Sequence, residues 1–200
     1  MKRVFDFTVA LVLIVILSPF MLLTALVVYC AFGGPILFKQ VRPGLHEKPF
    51  RIYKFRTMLS LHDAYGKERS DEERLTRTGI LLRKFSLDEL PQLINVIKGE
   101  LSLVGPRPLL MEYLEIYDHE QRRRHEVRPG ITGWAQVNGR NQLEWEDKLR
   151  LDVWYVDNHN LWLDLKILVL TFFKVIRSDG INQQGSATAS KFQGTKKVKH

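Results

Sequence analysis

Apolar residues are distributed very unevenly along this chain. From Phe7 to Phe38 no side chain is charged, whereas the rest alternates short apolar runs with polar stretches. As one straight helix the apolar segment would measure about 48 Å, well beyond the roughly 30 Å hydrocarbon layer of a bilayer. Ser18-Pro19 lies near its middle. Proline has no N–H for the carbonyl of Val15, and its ring crowds that turn, so the pattern predicts a kink there. The Ser18 hydroxyl is expected to deepen it by bonding back to the carbonyl of Ile14. Each arm is then about 18–20 Å long, too short to cross alone.

The flanks are basic on both sides: Lys2 and Arg3 before the segment, then Lys39, Arg42, Lys48, Arg51, Lys54 and Arg56 after it. Basic flanks stay cytoplasmic, so a re-entrant helical hairpin satisfies both ends at once. A tilted single-pass helix is the alternative. The segment lacks a small-residue cleavage site, and Tyr29 before Cys30 does not suit a lipoprotein site, so residues 1–35 read as a retained anchor.

Beyond the anchor, Ile36 to Val41 and Phe50 to Thr57 alternate as a β-hairpin, with Arg42-Pro43-Gly44 between them. His62 to Arg77 reads as a surface helix or loop. A short helix follows Ser86, with Leu90, Leu93, Ile94 and Ile97 as its buried stripe and Lys98-Gly99 as its close. Pro108 to His125 reads as one helix, Arg128 to Gly133 as a glycine-containing loop, and Gln142 to Tyr155 as another helix. Leu161 to Arg177 has a broad apolar face that suits either a core or a lipid surface, and Trp145, Trp154 and Trp162 nearby favour the surface. The fold class is therefore α+β and mostly helical: a membrane helix kinked at Ser18-Pro19, a small hairpin, and amphipathic interfacial helices around a compact domain. Residues 36–182 form that domain, and residues 183–200 a flexible tail.

Charge and composition narrow the chemistry. A net charge of +8 suggests an anionic partner, and a single cysteine, Cys30, excludes an internal disulfide framework. The most informative stretch is Phe85 to Arg107, which sets Asp88 and Glu89 at the head of a helix and follows them with a rigid turn carrying Arg107. Carboxylates at a helix N-terminus stay ionised readily, and an ionised carboxylate beside cations can act as a nucleophile on phosphorus. Ser86 and Glu89 also fit the S-x-x-E capping box, which explains those two residues but assigns no task to Asp88.

The sequence contains no Walker phosphate loop, no G-x-G-x-x-G and no G-x-S-x-G, and its histidines do not build a metal cage. What it offers instead is basic loops. Gly105-Pro106-Arg107-Pro108 fixes an arginine between two prolines; Arg128-Pro129-Gly130 with Thr132 offers a guanidinium, a hydroxyl and accessible N–H groups. Arg83, Arg107, Arg128, Thr132, Lys54 and Arg56 are the candidate phosphate-binding residues. With a carboxylate pair and an anchor, they suit phosphoryl transfer from a soluble anionic donor to a lipid.

These motifs have a recognisable order. Lys2-Arg3 with an apolar Ser-Pro helix, Ile52 to Met58, Ser86 to Leu93, Val104 to Pro108 and Arg128 to Gly133 together resemble the bacterial sugar transferase family, the monotopic phosphoglycosyl transferases, and in particular its small type. The pattern from Gly185 to Phe192 is similar to that of members that begin bacterial N-linked glycan assembly, which favours a diacetamido-trideoxy sugar. The resemblance implies transfer of a phosphosugar from a UDP-sugar to undecaprenyl phosphate with release of UMP and a requirement for Mg²⁺. It implies that Asp88 attacks the β-phosphorus to form a phosphosugar-aspartyl intermediate, in a ping-pong cycle, with Glu89 as base or orienting group. Asp88 is also the expected metal contact. The implied location is the cytoplasmic face of the bacterial inner membrane, with the phospholipid bilayer as a further partner.

Two other functions are open to the residues alone. A membrane-anchored glycosyltransferase would release UDP in place of UMP. A basic binding module would use the positive charge on nucleic acid, but the basic residues are dispersed through Pro/Gly loops and amphipathic helices, so no nucleic-acid partner is expected.

Overall fold

The computed structural model describes residues 1–61, 65–66, 69–139, 143–177 and 191–194. Helix α1, Lys2–Phe32, is the long apolar segment, and it is long and apolar enough to cross a membrane. It ends where Gly33 takes a positive φ of 68°, a conformation glycine adopts without steric cost. Leu11, Val12, Val15, Ile16, Leu22 and Leu23 stay exposed along its outer side.

Helical geometry continues through Pro19. The Ser18 hydroxyl donates to Val15 O at 2.8 Å, three residues back, and not to the expected Ile14. The reason is local: proline leaves the carbonyl of Val15 without its helical donor, and the adjacent hydroxyl takes the place.

Both halves of α1 pack against the rest of the chain. Ala10 belongs to the main core with Leu93, Val96, Leu103 and Ile167, while Val28 packs with Phe55 and Leu82. The two ends are tied down by polar contacts as well. At the start, Lys2 pairs with Asp164, the carboxylate of Asp6 accepts from Ser102 Oγ at 2.7 Å, and Arg3 donates to Val96 O and Ile97 O. At the finish, Arg56 donates to the carbonyls of Phe32, Gly33 and Gly34.

The hairpin has the expected topology. Strands β1, Leu37–Pro43, and β2, Pro49–Phe55, pair antiparallel with Gln40 opposite Ile52. Short helices α2, Asp71–Arg74, and α3, Arg77–Lys84, follow, the first closed by a Ser70–Glu73 capping box and the second capped by Thr76. Helix α4, Gln92–Lys98, starts directly after Pro91.

The buried face of α4 differs from the expected stripe. Gln92, Leu93, Asn95 and Val96 are buried, while Ile94 is exposed. Asn95 sets this register because the outer edge of β2 needs partners: its Oδ1 accepts from Tyr53 N at 3.1 Å and its Nδ2 donates to Arg51 O at 2.8 Å. An amide closes an open strand edge that a leucine would leave unpaired.

A second sheet was not expected. Strand β3, Ser102–Val104, runs parallel to β4, Gly130–Thr132, within the segment read from sequence as a loop. The glycines of the two motifs serve this pairing. A Cβ at Gly105 would stand 2.3 Å from Arg128 O, and one at Gly130 only 2.1 Å from Gly105 N. The backbones meet where no side chain fits.

Pro108 to His125 is likewise not one helix. A 3₁₀ turn at Met111–Glu115 precedes α5, His119–Arg122, and a second 3₁₀ turn covers Arg123–His125. Asp118 forms a capping box with Gln121, so the chain starts a new helix there instead of continuing an old one. Three helices complete the fold: α6, Trp134–Asn138; α7, Trp145–Asn158, beginning three residues later than expected; and α8, Leu161–Arg177. On α8, Asp164 and Ile167 are buried while Trp162, Val169, Phe172, Phe173 and Ile176 are exposed, so one face serves the core and another remains open.

Of the segment expected to be a flexible tail, only Lys191–Gly194 lies among the described residues. There Phe192 is buried against Tyr113, Tyr117 and Trp145, and its N–H donates to Tyr113 Oη at 3.2 Å.

Candidate active site

Ser86 opens the site with a left-handed backbone, φ 54°, and its hydroxyl caps nothing. The capping-box reading of Ser86 and Glu89 therefore does not hold. The reason is competition: Glu89 Oε1 accepts from Lys54 Nζ at 2.6 Å and from Arg107 Nη2 at 2.7 Å. Two charge-assisted bonds outweigh one neutral cap. The left-handed residue turns the chain from α3 into a 3₁₀ turn, Leu87–Glu89, that presents both carboxylates beside the hairpin.

Each cation is placed by a different part of the fold. Lys54 sits on β2, whose edge Asn95 holds one residue away at Tyr53. Arg107 follows β3 on the turn that the Gly105–Gly130 contact makes possible. A buried arginine fixes that turn: Arg124 is 2% exposed, donates to Arg107 O at 2.7 Å, and pairs with Asp152 at 2.6 Å. Within the Arg122-Arg123-Arg124 run, one member is thus an internal strut. No sequence signal separated it from its neighbours.

Asp88 is in a different state from Glu89. Among the described residues its carboxylate makes no hydrogen bond or ion pair, although it is buried. Burial raises its pKa, the neighbouring charge of Glu89 raises it further, and Lys54, Arg83 and Arg107 act against both; the balance lies at about 6. For Glu89, burial is again the largest influence and upward, but Arg107 and Lys54 together overcome it and hold the carboxyl well below the usual carboxylate range. The dyad thus joins a fixed anion to a poorly solvated carboxylate with free lone pairs.

The remaining candidate residues divide. Arg83 is near enough to act electrostatically on Asp88, while its Nε donates to Thr57 Oγ1 at 3.0 Å. Arg128 donates instead to Gly99 O at 3.1 Å, at the end of α4. Arg56 is engaged by the carbonyls that end α1. The hydroxyl of Thr132 meets that of Thr171 at 2.7 Å. The fold therefore gathers Asp88, Glu89, Lys54, Arg83 and Arg107, and turns Arg128 and Arg56 to helix ends. Among the described residues no three Asp, Glu, His or Cys side chains cluster as a metal cage.

Residues 1–178 match the family model described as bacterial sugar transferase. The chain belongs to that family. It is 60% identical over 195 residues to the uncharacterized sugar transferase EpsL of Bacillus subtilis (strain 168), covering 98% of this chain and 96% of that one. It is 43% identical to an undecaprenyl-phosphate glucose phosphotransferase of Komagataeibacter xylinus, over 88% of this chain and 36% of the relative. It is 39% identical to a UDP-glucose:undecaprenyl-phosphate glucose-1-phosphate transferase of Escherichia coli (strain K12), over 87% of this chain and 40% of the relative. The chain thus spans well under half the length of those two proteins.

Proposed function

We propose that this sugar transferase moves a phosphosugar from a UDP-sugar to undecaprenyl phosphate, releasing UMP, through an adduct on Asp88. The observation that carries this is the division within the dyad. Asp88 has a carboxylate oxygen free to attack the β-phosphorus, with Lys54, Arg83 and Arg107 around it to offset the negative charge of the incoming diphosphate. The bond from the β-phosphorus to the UMP oxygen breaks as the Asp88 oxygen bonds to phosphorus. Glu89, pinned by two cations, keeps those cations in place and holds its negative charge beside the reacting carboxylate. The names of the two longer relatives support both the lipid acceptor and the phosphosugar chemistry.

Mg²⁺ fits this site as an ion shared with the substrate. Magnesium is commonly bound through one or two carboxylates together with substrate phosphates and water, so Asp88 with the donor diphosphate forms a sufficient donor set. When bound, it supplies further neutralisation of phosphate charge.

The anchor reading also belongs here. Both ends of α1 hydrogen-bond to the same domain, at Lys2, Arg3 and Asp6 on one side and through Arg56 on the other. A helix that crossed the bilayer would separate those ends by the membrane, so the contacts support a re-entrant, monotopic placement with the catalytic domain on the cytoplasmic face. Incubation with UDP-sugars and undecaprenyl phosphate tests the activity through its nucleotide product. UMP is the expected product; UDP would assign ordinary glycosyl transfer and refute the proposal.

A further inference from the structure

Beside Glu89 a cleft of about 230 Å³ opens between α1, α6, α8 and the turn that carries the dyad. Much of its lining is apolar, and part of that comes from the membrane helix itself: Leu13 and Leu17 lie on one side, with Leu93 and Val175 also in the wall. The polar lining consists of Ser86, Glu89, Thr132, Gln136, Thr171 and Lys174, and Glu89 is already held by Lys54 and Arg107. Thr132 and Thr171 bond to each other through their hydroxyls. Gln136 Oε1 is buried without a partner among the described residues. Lys174, half-buried in the wall, makes no hydrogen bond or ion pair with any described residue.

An unpaired cation on a largely apolar wall asks for an anion from outside, and the wall asks for hydrocarbon. A nucleotide-sugar supplies the anion but not the hydrocarbon, since uridine and sugar hydroxyls would lose water against leucine and valine without recovering their hydrogen bonds. A lipid with a single phosphate head meets both. Pockets that enclose whole ligands measure about 300–1,000 Å³, so a cleft of about 230 Å³ holds only the head-proximal part of such a lipid and leaves the remaining chain in the bilayer along α1.

We infer that this cleft is the acceptor subsite, with Lys174 receiving the phosphate of a polyprenyl phosphate and Leu13 and Leu17 packing its first isoprene units. The inference rests on the phosphoglycosyl-transfer reading above and deepens it. An oxygen of the dianionic acceptor phosphate attacks the phosphorus held on Asp88. The new bond joins the two phosphates, the Asp88–phosphorus bond breaks, and Asp88 returns as a carboxylate. No proton need be removed, so the subsite has only to bring the phosphate in and neutralise it.

The test separates the two half-reactions. A burst of UMP from a UDP-sugar without acceptor reports the donor half alone; its absence from the wild-type protein would refute the underlying reading and not the subsite. Given that burst, Lys174→Ala and Leu17→Trp are each expected to retain it. Each should raise the KM for undecaprenyl phosphate roughly tenfold to a hundredfold, the loss of one charge-assisted contact or of the packed chain, with Lys174→Arg restoring most of the affinity. An unchanged acceptor KM in both variants overturns the inference, as does loss of the burst in both. Inhibition by phosphatidate vesicles as potent as competition by a second polyprenyl phosphate would assign the cleft to bilayer lipid and overturn it too.

Discussion

Glu89 accepts bonds from Lys54 and Arg107 through one oxygen, while the adjacent carboxylate of Asp88 accepts none from the described residues. Neighbours in sequence thereby acquire opposite proton affinities: burial and the fixed charge of Glu89 push Asp88 up to about 6, and the two cations hold Glu89 down. A nucleophile needs an accessible lone pair more than a low pKa, and the arrangement supplies one.

The pH dependence follows from the attacking form. In the proposed mechanism Asp88 attacks in its ionised form, so the single-turnover rate of UMP release is expected to climb with pH through about 6 and then level off. Lys54 lowers the Asp88 pKa, hence Lys54→Met should move that limb to higher pH. Glu89 raises it, hence Glu89→Gln should move the limb down in whatever activity remains. Limbs that shift together, or not at all, would show that another group titrates.

Stability carries the opposite sign. A carboxyl whose pKa rises on folding binds its proton more tightly in the native state, so stability present below the unfolded value near 3.8 is lost as pH rises through about 6. Asp88→Asn removes that loss. It is expected to abolish turnover yet raise the melting temperature at neutral pH, through a gain of up to about 3 kcal/mol of stability that shrinks on acidification and vanishes below about pH 3. Thermal melts of both proteins across that range check it.

The long apolar helix, the hairpin and the adjacency of Asp88 and Glu89 were legible in the sequence because each is written in local pattern. The β3–β4 pairing was not, since Gly105 and Gly130 lie far apart along the chain and their need for close approach shows only when the backbones meet. Asn95 and Arg124 escaped for a related reason. A buried amide or guanidinium looks like any surface polar residue until its distant partner is known. Asp6 and Asp164, which fasten the start of α1 and α8 inside the fold, were hidden in the same way.

Arg124 offers a direct check of that buried framework. Asp152→Ala would leave its guanidinium inside the protein without a counter-ion, costing about 3–5 kcal/mol. Because Arg124 also holds Arg107 O, activity should fall further than the folded fraction does. Chemical denaturation alongside turnover per folded molecule measures the two effects separately.

Gly105→Ala tests the strand contact. The added methyl carbon would lie 2.3 Å from Arg128 O, backbone against backbone, so the turn carrying Arg107 must move. Loss of β3–β4 protection in hydrogen exchange is expected, together with loss of activity; wild-type exchange at Gly105 and Gly130 would contradict the packing described.

The central claim concerns a covalent bond at Asp88, and mass spectrometry addresses it most directly. Protein mixed with a panel of UDP-sugars, without lipid acceptor, is quenched and weighed intact. The account predicts a mass increase equal to one phosphosugar with the correct donor, located to the peptide containing Asp88, absent from Asp88→Asn and discharged by undecaprenyl phosphate. Full transfer to the lipid in the complete reaction, with no adduct ever formed on the protein, would contradict it.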